Sequence, residues 1–426
     1  MKNNSVTLKL ILMNFLEFAV WGAYLTSMGS FLANAGMGKQ IWLFFATQGF
    51  VSIIMPALIG IIADKWIPAQ KVLSLCHGIA GAAMLAAGLY AMKAGAGIQF
   101  GPFYTLYTIS VAFFMPTIAI ANSVAYNVLE KAGKDPVNDY PPIRVFGTIG
   151  FICSMLFVNF MKGADGVQFQ HTYNQFLVSG ILGIVLCLYA LTLPDCPCKP
   201  SSEGNQSLAD SLGLTAFKLF RQKNFAVFFI FSLLLGAALQ ITNGYANTFI
   251  TSFKDIPEFA NAWGARNANA LISISQISEA LCILFIPFCM KKFGIKNVML
   301  IAMFAWVFRF GFFGLGNPGG GVWLFVLSCI IYGFAFDFFN ISGSLYVNDN
   351  TDESIRSSAQ GLFMLMTNGL GAAIGTWVAG LVVNHFVYNA AEPSWSTAWY
   401  IFAAYSLVVG ILFAILFEDP RKKQNR

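Results

Sequence analysis

About twelve apolar stretches, each long enough to cross a bilayer, leave this chain few folds to choose from. They run over 8–32, 40–62, 72–92, 101–129, 142–162, 172–193, 224–250, 267–290, 297–315, 321–345, 358–385 and 397–417. A spanning helix needs roughly 20 apolar residues. Hydrocarbon offers the backbone no hydrogen-bonding partner, so each stretch must satisfy its own N–H and C=O groups, and a helix does this within one segment. Composition agrees, with 57% hydrophobic and 10% charged residues among 426, against about 25% charged in a soluble domain. The expected fold class is an all-α membrane protein of about twelve transmembrane helices. The first stretch is too long for a signal-peptide core and contains Glu17, so it is expected to stay as the first helix.

The loops set an expected orientation. With both termini placed in the cytoplasm, eighteen of the 25 Lys and Arg residues lie on that side and five on the other, while Arg144 and Arg309 fall inside spans. Cytoplasmic loops carry such a bias. The net charge of +6 then faces an anionic leaflet and implies no nucleic-acid partner. The longest polar stretch divides the chain into an N-terminal six-helix bundle (1–193), a cytoplasmic linker (194–223) and a C-terminal six-helix bundle with a short tail (224–426). Within the linker, LADSLGLTAFKLF alternates like an interfacial helix. The eight cysteines suggest no disulfide framework, and the Cys196-Pro-Cys198 pair alone is a weak metal signal. His77, His171 and His385 are read as lying near helix ends, without ligand spacing. No Walker lysine motif, paired His/Glu metal motif or nucleophile elbow occurs. Neither an enzyme nor a cofactor is therefore expected.

Function must then reside in polar residues buried inside the spans. The clearest is Asp337, in LSCIIYGFAFDFFNISGS. A charged Asp at mid-bilayer costs roughly 2.5–3.5 kcal/mol on insertion scales, and such groups face a cavity or a partner. Helical spacing puts Tyr332, Phe336, Asp337 and Asn340 on one broad face, like the wall of a wet pocket. On the eighth span Gln276 and Glu279 share a face, beside Ser275. On the seventh, Gln240, Asn243 and Asn247 form a stripe, which reads as a hydrated surface or as helix–helix hydrogen bonding. On the fifth, Arg144, Thr148 and Phe151 stand at i, i+4 and i+7; Arg144 either lines a pocket or snorkels to the headgroups. The first span carries Asn14, Glu17, Trp21 and Tyr24 on one face, and Glu17 either serves function or pairs with a neighbour. Pro116 predicts a kink in the fourth span, beside Asn122, Ser123, Tyr126 and Asn127. Arg309, in the ninth, is expected to neutralise one of the buried carboxylates. The spacing of Gly371 and Gly375 permits close helix contact.

Six spans, a linker and six spans, with Gly60–Lys71 (GIIADKWIPAQK) between the second and third, resemble the major facilitator layout. The blocks PPIRVFGTIGF, LLLGAALQITN, SISQISE, IYGFAFDFFNISGS and IRSSAQG resemble the bacterial nucleoside:proton symporter family of that superfamily, almost end to end. The resemblance implies two six-helix bundles, inward nucleoside uptake coupled to protons across the inner membrane by alternating access, and a substrate site at the midplane between the bundles. It implies a nucleoside site formed by Arg144, Thr148, Phe151, Gln240, Asn243, Gln276, Glu279, Tyr332, Phe336 and Asp337. Asp337 is the expected proton-coupling residue, with Glu279 next. Purine and pyrimidine nucleosides, protons and the lipid bilayer are the expected partners of a monomer. The chain departs from the family pattern at Ala238, where the best-known relatives have a carboxylate, and at Phe146, where they have a tryptophan. The residues alone leave open a major facilitator carrier of a sugar or other polyol, or a membrane sensor that transports nothing, because fold does not set function.

Overall fold

The computed structural model describes residues 3–198 and 214–418, almost all of them helical. In the N-terminal half the helices are α1 (Asn3–Gly22), α2 (Met28–Asn34), α3 (Ile41–Lys65), α4 (Ala69–Ala94), α5 (Phe100–Phe114), α6 (Thr117–Lys131), α7 (Pro136–Phe160) and α8 (Asn174–Ala190). The C-terminal half has α9 (Lys223–Ser252), α10 (Ala268–Cys282), α11 (Ile286–Phe293), α12 (Ile295–Leu315), α13 (Val322–Asn350), α14 (Glu353–Met364), α15 (Ala372–Val383) and α16 (Trp395–Leu416). By length and composition, eleven helical stretches among the described residues can cross a membrane, and Asn174–Ala190 is a shorter apolar helix.

Several expected spans are interrupted. The first is two helices, α1 and α2, with a turn between them. Pro116 lacks the N–H that would continue α5, so the fourth span breaks between Phe114 and Thr117. Pro287 stands in the first turn of α11, where a missing N–H costs least. In the eleventh span, α14 and α15 are joined by a π-helix, Leu365–Gly371, a form frequent at functional positions. In the linker, residues 199–213 lie outside the described residues, as does the first part of the expected interfacial helix. Its remainder is a 3₁₀ helix, Leu214–Arg221, with Ala216 and Leu219 buried and Phe217 exposed.

The chain divides into two compact units. One holds the residues up to Gly38 and those from Phe50 to the end of the N-terminal half; the other holds Lys39–Gly49 and the C-terminal half. The first unit has an aliphatic core at one end, with Leu10, Met13, Leu73, Val124, Leu129 and Leu186 buried. The second is built on rings: Trp399 packs against Phe249, Phe310, Phe313 and Phe402.

Small residues let backbones meet in each unit, as lipid-embedded helices require. A Cβ on Gly150 of α7 would stand 2.1 Å from the Phe15 carbonyl of α1. In the second unit, a Cβ on Gly375 would stand 2.1 Å from Ala237 Cβ, and one on Gly371 would stand 2.5 Å from the Leu233 carbonyl. Gly150→Leu is expected to lower the melting temperature of the purified protein, because overpacking costs about 1–3 kcal/mol or more. Gly311→Ala, whose Cβ would meet nothing within 4 Å, is expected to leave it unchanged. Equal melting curves for both variants would refute the close α1–α7 contact.

Candidate functional site

In the first unit the expected site residues gather on α7, where it meets α1. The Arg144 guanidinium carbon lies 3.8 Å from the centroid of the Phe18 ring. The approach depends on Gly147, whose missing Cβ would lie 2.6 Å from that ring and 2.7 Å from Arg144 Nη1. Arg144 is thus stacked on the Phe18 ring. One turn on, Thr148 is half-buried. Phe151 is buried and meets Trp21 edge-on, with centroids 6.3 Å apart at 86°. Trp21 also packs on Phe114, and its indole N–H is buried without an acceptor. The sequence places Trp21 on the polar face of the first span, and only the packing shows that its donor is buried without an acceptor. Asn14 and Asn122 are instead held within reach of the Tyr140 hydroxyl, and Asn127 bonds the Ser123 carbonyl.

His77 is not near a helix end in its environment. It stands inside α4, fully buried, and its Nε2 lies 2.7 Å from Glu17 Oε2. Glu17 therefore has a partner, as one of its two readings held.

In the second unit the sequence-predicted residues come from α9, α10 and α13. Tyr332 and Phe336, one turn apart on α13, stack nearly parallel, with centroids 5.8 Å apart at 7°. Asp337, next along the helix, is only 6% exposed, and its Oδ2 is buried without a hydrogen-bond partner. Its charged neighbour is Glu279 of α10. Ser278, beside Glu279, donates to the Ile330 carbonyl, and a Cβ on Gly333 would lie 2.6 Å from the Ser278 carbonyl. This close contact sets α10 against α13 and brings the two carboxylates into one neighbourhood. On α9, Gln240 is buried with its Oε1 unpartnered; Asn243, and on α10 Gln276 and Glu279, are half-buried. Asn247 does not share their role, since its Nδ2 donates to Asn269 Oδ1 at 2.8 Å, joining α9 to α10. Asn340 bonds the Phe336 carbonyl of its own helix.

Arg309 corrects an expectation. It is fully buried on α12, and its hydrogen bonds go to Thr242 Oγ1 (3.4 Å), Ser275 Oγ (3.3 Å) and the Ser328 carbonyl (2.7 Å), none of them a carboxylate. Its guanidinium carbon also lies 4.5 Å from the Tyr332 ring centroid. A planar fork of five donors serves several acceptors and a ring face together. Arg309 thus ties α9, α10, α12 and α13 around Tyr332 and leaves the two acids without its charge as a direct partner.

A cavity of about 20 Å³ lies beside this wall, lined by Gly236, Leu239, Trp306, Phe336, Asn340 and Thr367. It has room for one water. Among the described residues no three His, Cys, Asp or Glu side chains group as a metal site. Cys196 is buried in the turn after α8, and burial pushes its thiol up to about 11, so it remains a protonated thiol. Phe146 is partly exposed and Ala238 is buried.

Three comparisons bear on this arrangement. The family described as Nucleoside H+ symporter matches residues 4–422. Xanthosine permease of Escherichia coli (strain K12) is 42% identical over 428 residues, covering 99% of this chain and 99% of the relative. The crystal structure of the nucleoside transporter NupG superposes with a TM-score of 0.87 at 42% identity, covering 98% of this chain and 100% of that one.

Proposed function

Because the chain belongs to the nucleoside H+ symporter family, and so is a multi-pass inner-membrane transporter of major facilitator fold and not an enzyme, we propose that it takes up purine and pyrimidine nucleosides together with protons through the residues described above. The observation that carries this reading is the parallel Tyr332–Phe336 pair with the unpartnered Asp337 Oδ2 next along α13, together with a second unpartnered buried acceptor, Gln240 Oε1, on α9. A nucleobase stacks on such a ring face for roughly 1–3 kcal/mol whatever its identity, which supports acceptance of both base classes. A carboxylate oxygen accepts from ribose hydroxyls, while amides such as Gln240, Asn243 and Gln276 both donate to and accept from base edges. In the first unit, the fork of Arg144, the hydroxyl of Thr148, the ring of Phe151 and the free N–H of Trp21 serve recognition. Asp337 carries the proton, with Glu279 as the second candidate. The chain works as a monomer with both termini in the cytoplasm, the orientation that its basic residues favour.

Binding of labelled uridine tests this. Gln240→Ala, Asn243→Ala and Gln276→Ala are each expected to weaken it by about 1–3 kcal/mol, with expression unchanged. If all three bind uridine like the parent, the site is elsewhere. Adenosine is expected to compete with uridine and glucose is not, which separates this reading from a sugar carrier. Counterflow in proteoliposomes separates a carrier from a sensor, since only a carrier exchanges substrate. Arg144→Lys is expected to impair uptake as well, because an ammonium cannot reproduce the flat guanidinium that lies on Phe18. Unimpaired uptake by the lysine variant would reduce Arg144 to a packing residue.

A further inference from the structure

The first unit holds a cluster that the proposed nucleoside site does not use. Glu17 of α1, His77 of α4 and Thr117, the first residue of α6, are all 0% exposed. His77 Nε2 lies 2.7 Å from Glu17 Oε2, and Thr117 Oγ1 lies 2.6 Å from Glu17 Oε1. The same Oγ1 is 2.5 Å from the Phe114 carbonyl. A hydroxyl has one proton and can donate to only one of these two oxygens.

This geometry satisfies Glu17 in two states that differ by one proton. When the carboxylate is ionised, Thr117 donates to Oε1 and the His77 Nε2–H donates to Oε2. When the carboxyl is protonated on Oε1, it donates to Thr117 Oγ1, and the Thr117 proton turns to the Phe114 carbonyl. The Nε2–H contact is unchanged. Loading thus takes one proton and the rotation of one hydroxyl. His77 holds Glu17 through Nε2 in both states.

The surroundings fit a coupling site. The other titratable groups of this region are Tyr24 in the turn after α1, Cys76 on α4, Tyr107 on α5, Tyr140 and Arg144 on α7, and Cys187 on α8. Its permanent cation, Arg144, lies over Phe18 and makes no ion pair with Glu17. Glu17 is one turn from Trp21, which packs on Phe151, so loading can be felt at the residues proposed to bind substrate. The first span breaks after α1 and the fourth between α5 and α6, and transporters commonly build ion sites at discontinuous helices.

We propose that Glu17 is a second proton-binding site of this carrier, loaded and emptied in each transport cycle, with His77 and Thr117 holding its carboxyl in both states. The proton enters from water on one side of the membrane and leaves to water on the other, so nothing else is consumed. This rests on the reading of the chain as a proton-coupled nucleoside carrier, and not on the role of Asp337.

The test measures uridine entry and proton entry together in proteoliposomes. Glu17→Gln, which keeps the shape and an oxygen acceptor, is expected to move one proton fewer per uridine than the parent, with uridine counterflow at equal pH retained. An unchanged ratio overturns the proposal. A parent that moves uridine without protons overturns the symport reading and this inference with it. Should Glu17→Gln fail to fold, Thr117→Val leaves the acid in place but removes its rotating donor. The pH midpoint of uptake is then expected to shift, and so is the infrared band of a protonated carboxyl. If neither moves, Glu17 is only a structural tie among α1, α4 and α6.

Discussion

Asp337→Asn is expected to abolish accumulation of uridine driven by an inward proton gradient. The asparagine keeps the shape of the side chain and one oxygen acceptor but has no proton to release. The structure sharpens this expectation in two ways. Asp337 Oδ2 is buried without a partner, so neither a proton nor a ribose hydroxyl has to displace an existing bond. Glu279 is its charged neighbour, while the guanidinium of Arg309 is engaged with Thr242, Ser275 and Ser328. Arg309 therefore gives neither acid a direct hydrogen-bonded partner, which leaves Asp337 as the expected site of proton uptake and release. Gradient-driven uptake and substrate exchange in proteoliposomes separate the possible outcomes. A variant that still concentrates uridine in response to imposed protons shows that Asp337 is not the coupling residue. Loss of both binding and exchange makes it a substrate ligand and passes the proton to Glu279.

Arg309→Ala is expected to cost about 3–5 kcal/mol of stability. Truncating a long buried side chain to Ala costs about 2–5 kcal/mol, and the Ser328 carbonyl loses its buried donor. The measurement is the melting temperature of the detergent-solubilised protein, alongside uridine binding. Arg309→Lys is expected to retain part of the stability, since one ammonium can keep the Ser328 carbonyl but cannot also reach Thr242, Ser275 and the face of Tyr332. Binding is expected to weaken in both variants, because Tyr332 would lose the plane that backs it at 4.5 Å. Unchanged melting and binding in Arg309→Ala would show that the network does not hold the site.

The transmembrane architecture was legible because its cause is local. Water is absent from hydrocarbon, so every span must be apolar and helical over its own length, and no distant contact is needed to recognise it. The same reasoning singled out Asp337, Glu279 and Arg309, since a charge in such a stretch stands out against its immediate neighbours. The break at Pro116 was equally local, because it follows from one missing N–H. The face shared by Tyr332, Phe336 and Asp337 followed from helical periodicity alone.

What each buried polar group touches was decided elsewhere. Glu17 finds His77 60 positions away and Thr117 100 away, and no periodicity within α1 points to either. Arg309 turned to two hydroxyls, a carbonyl and a ring when the expectation was a carboxylate, because a guanidinium fork is satisfied by whatever four helices bring around it. Asn247 and Gln240 lie on one stripe of one helix, yet Asn247 faces Asn269 while the Gln240 oxygen has no partner. Pattern alone reports that a polar residue is buried. Whether it is a tie between helices or an open hydrogen-bonding site depends on the opposite helix, and helix crossings are set by side chains far apart in the chain, such as Gly150 against Phe15 and Gly333 against Ser278.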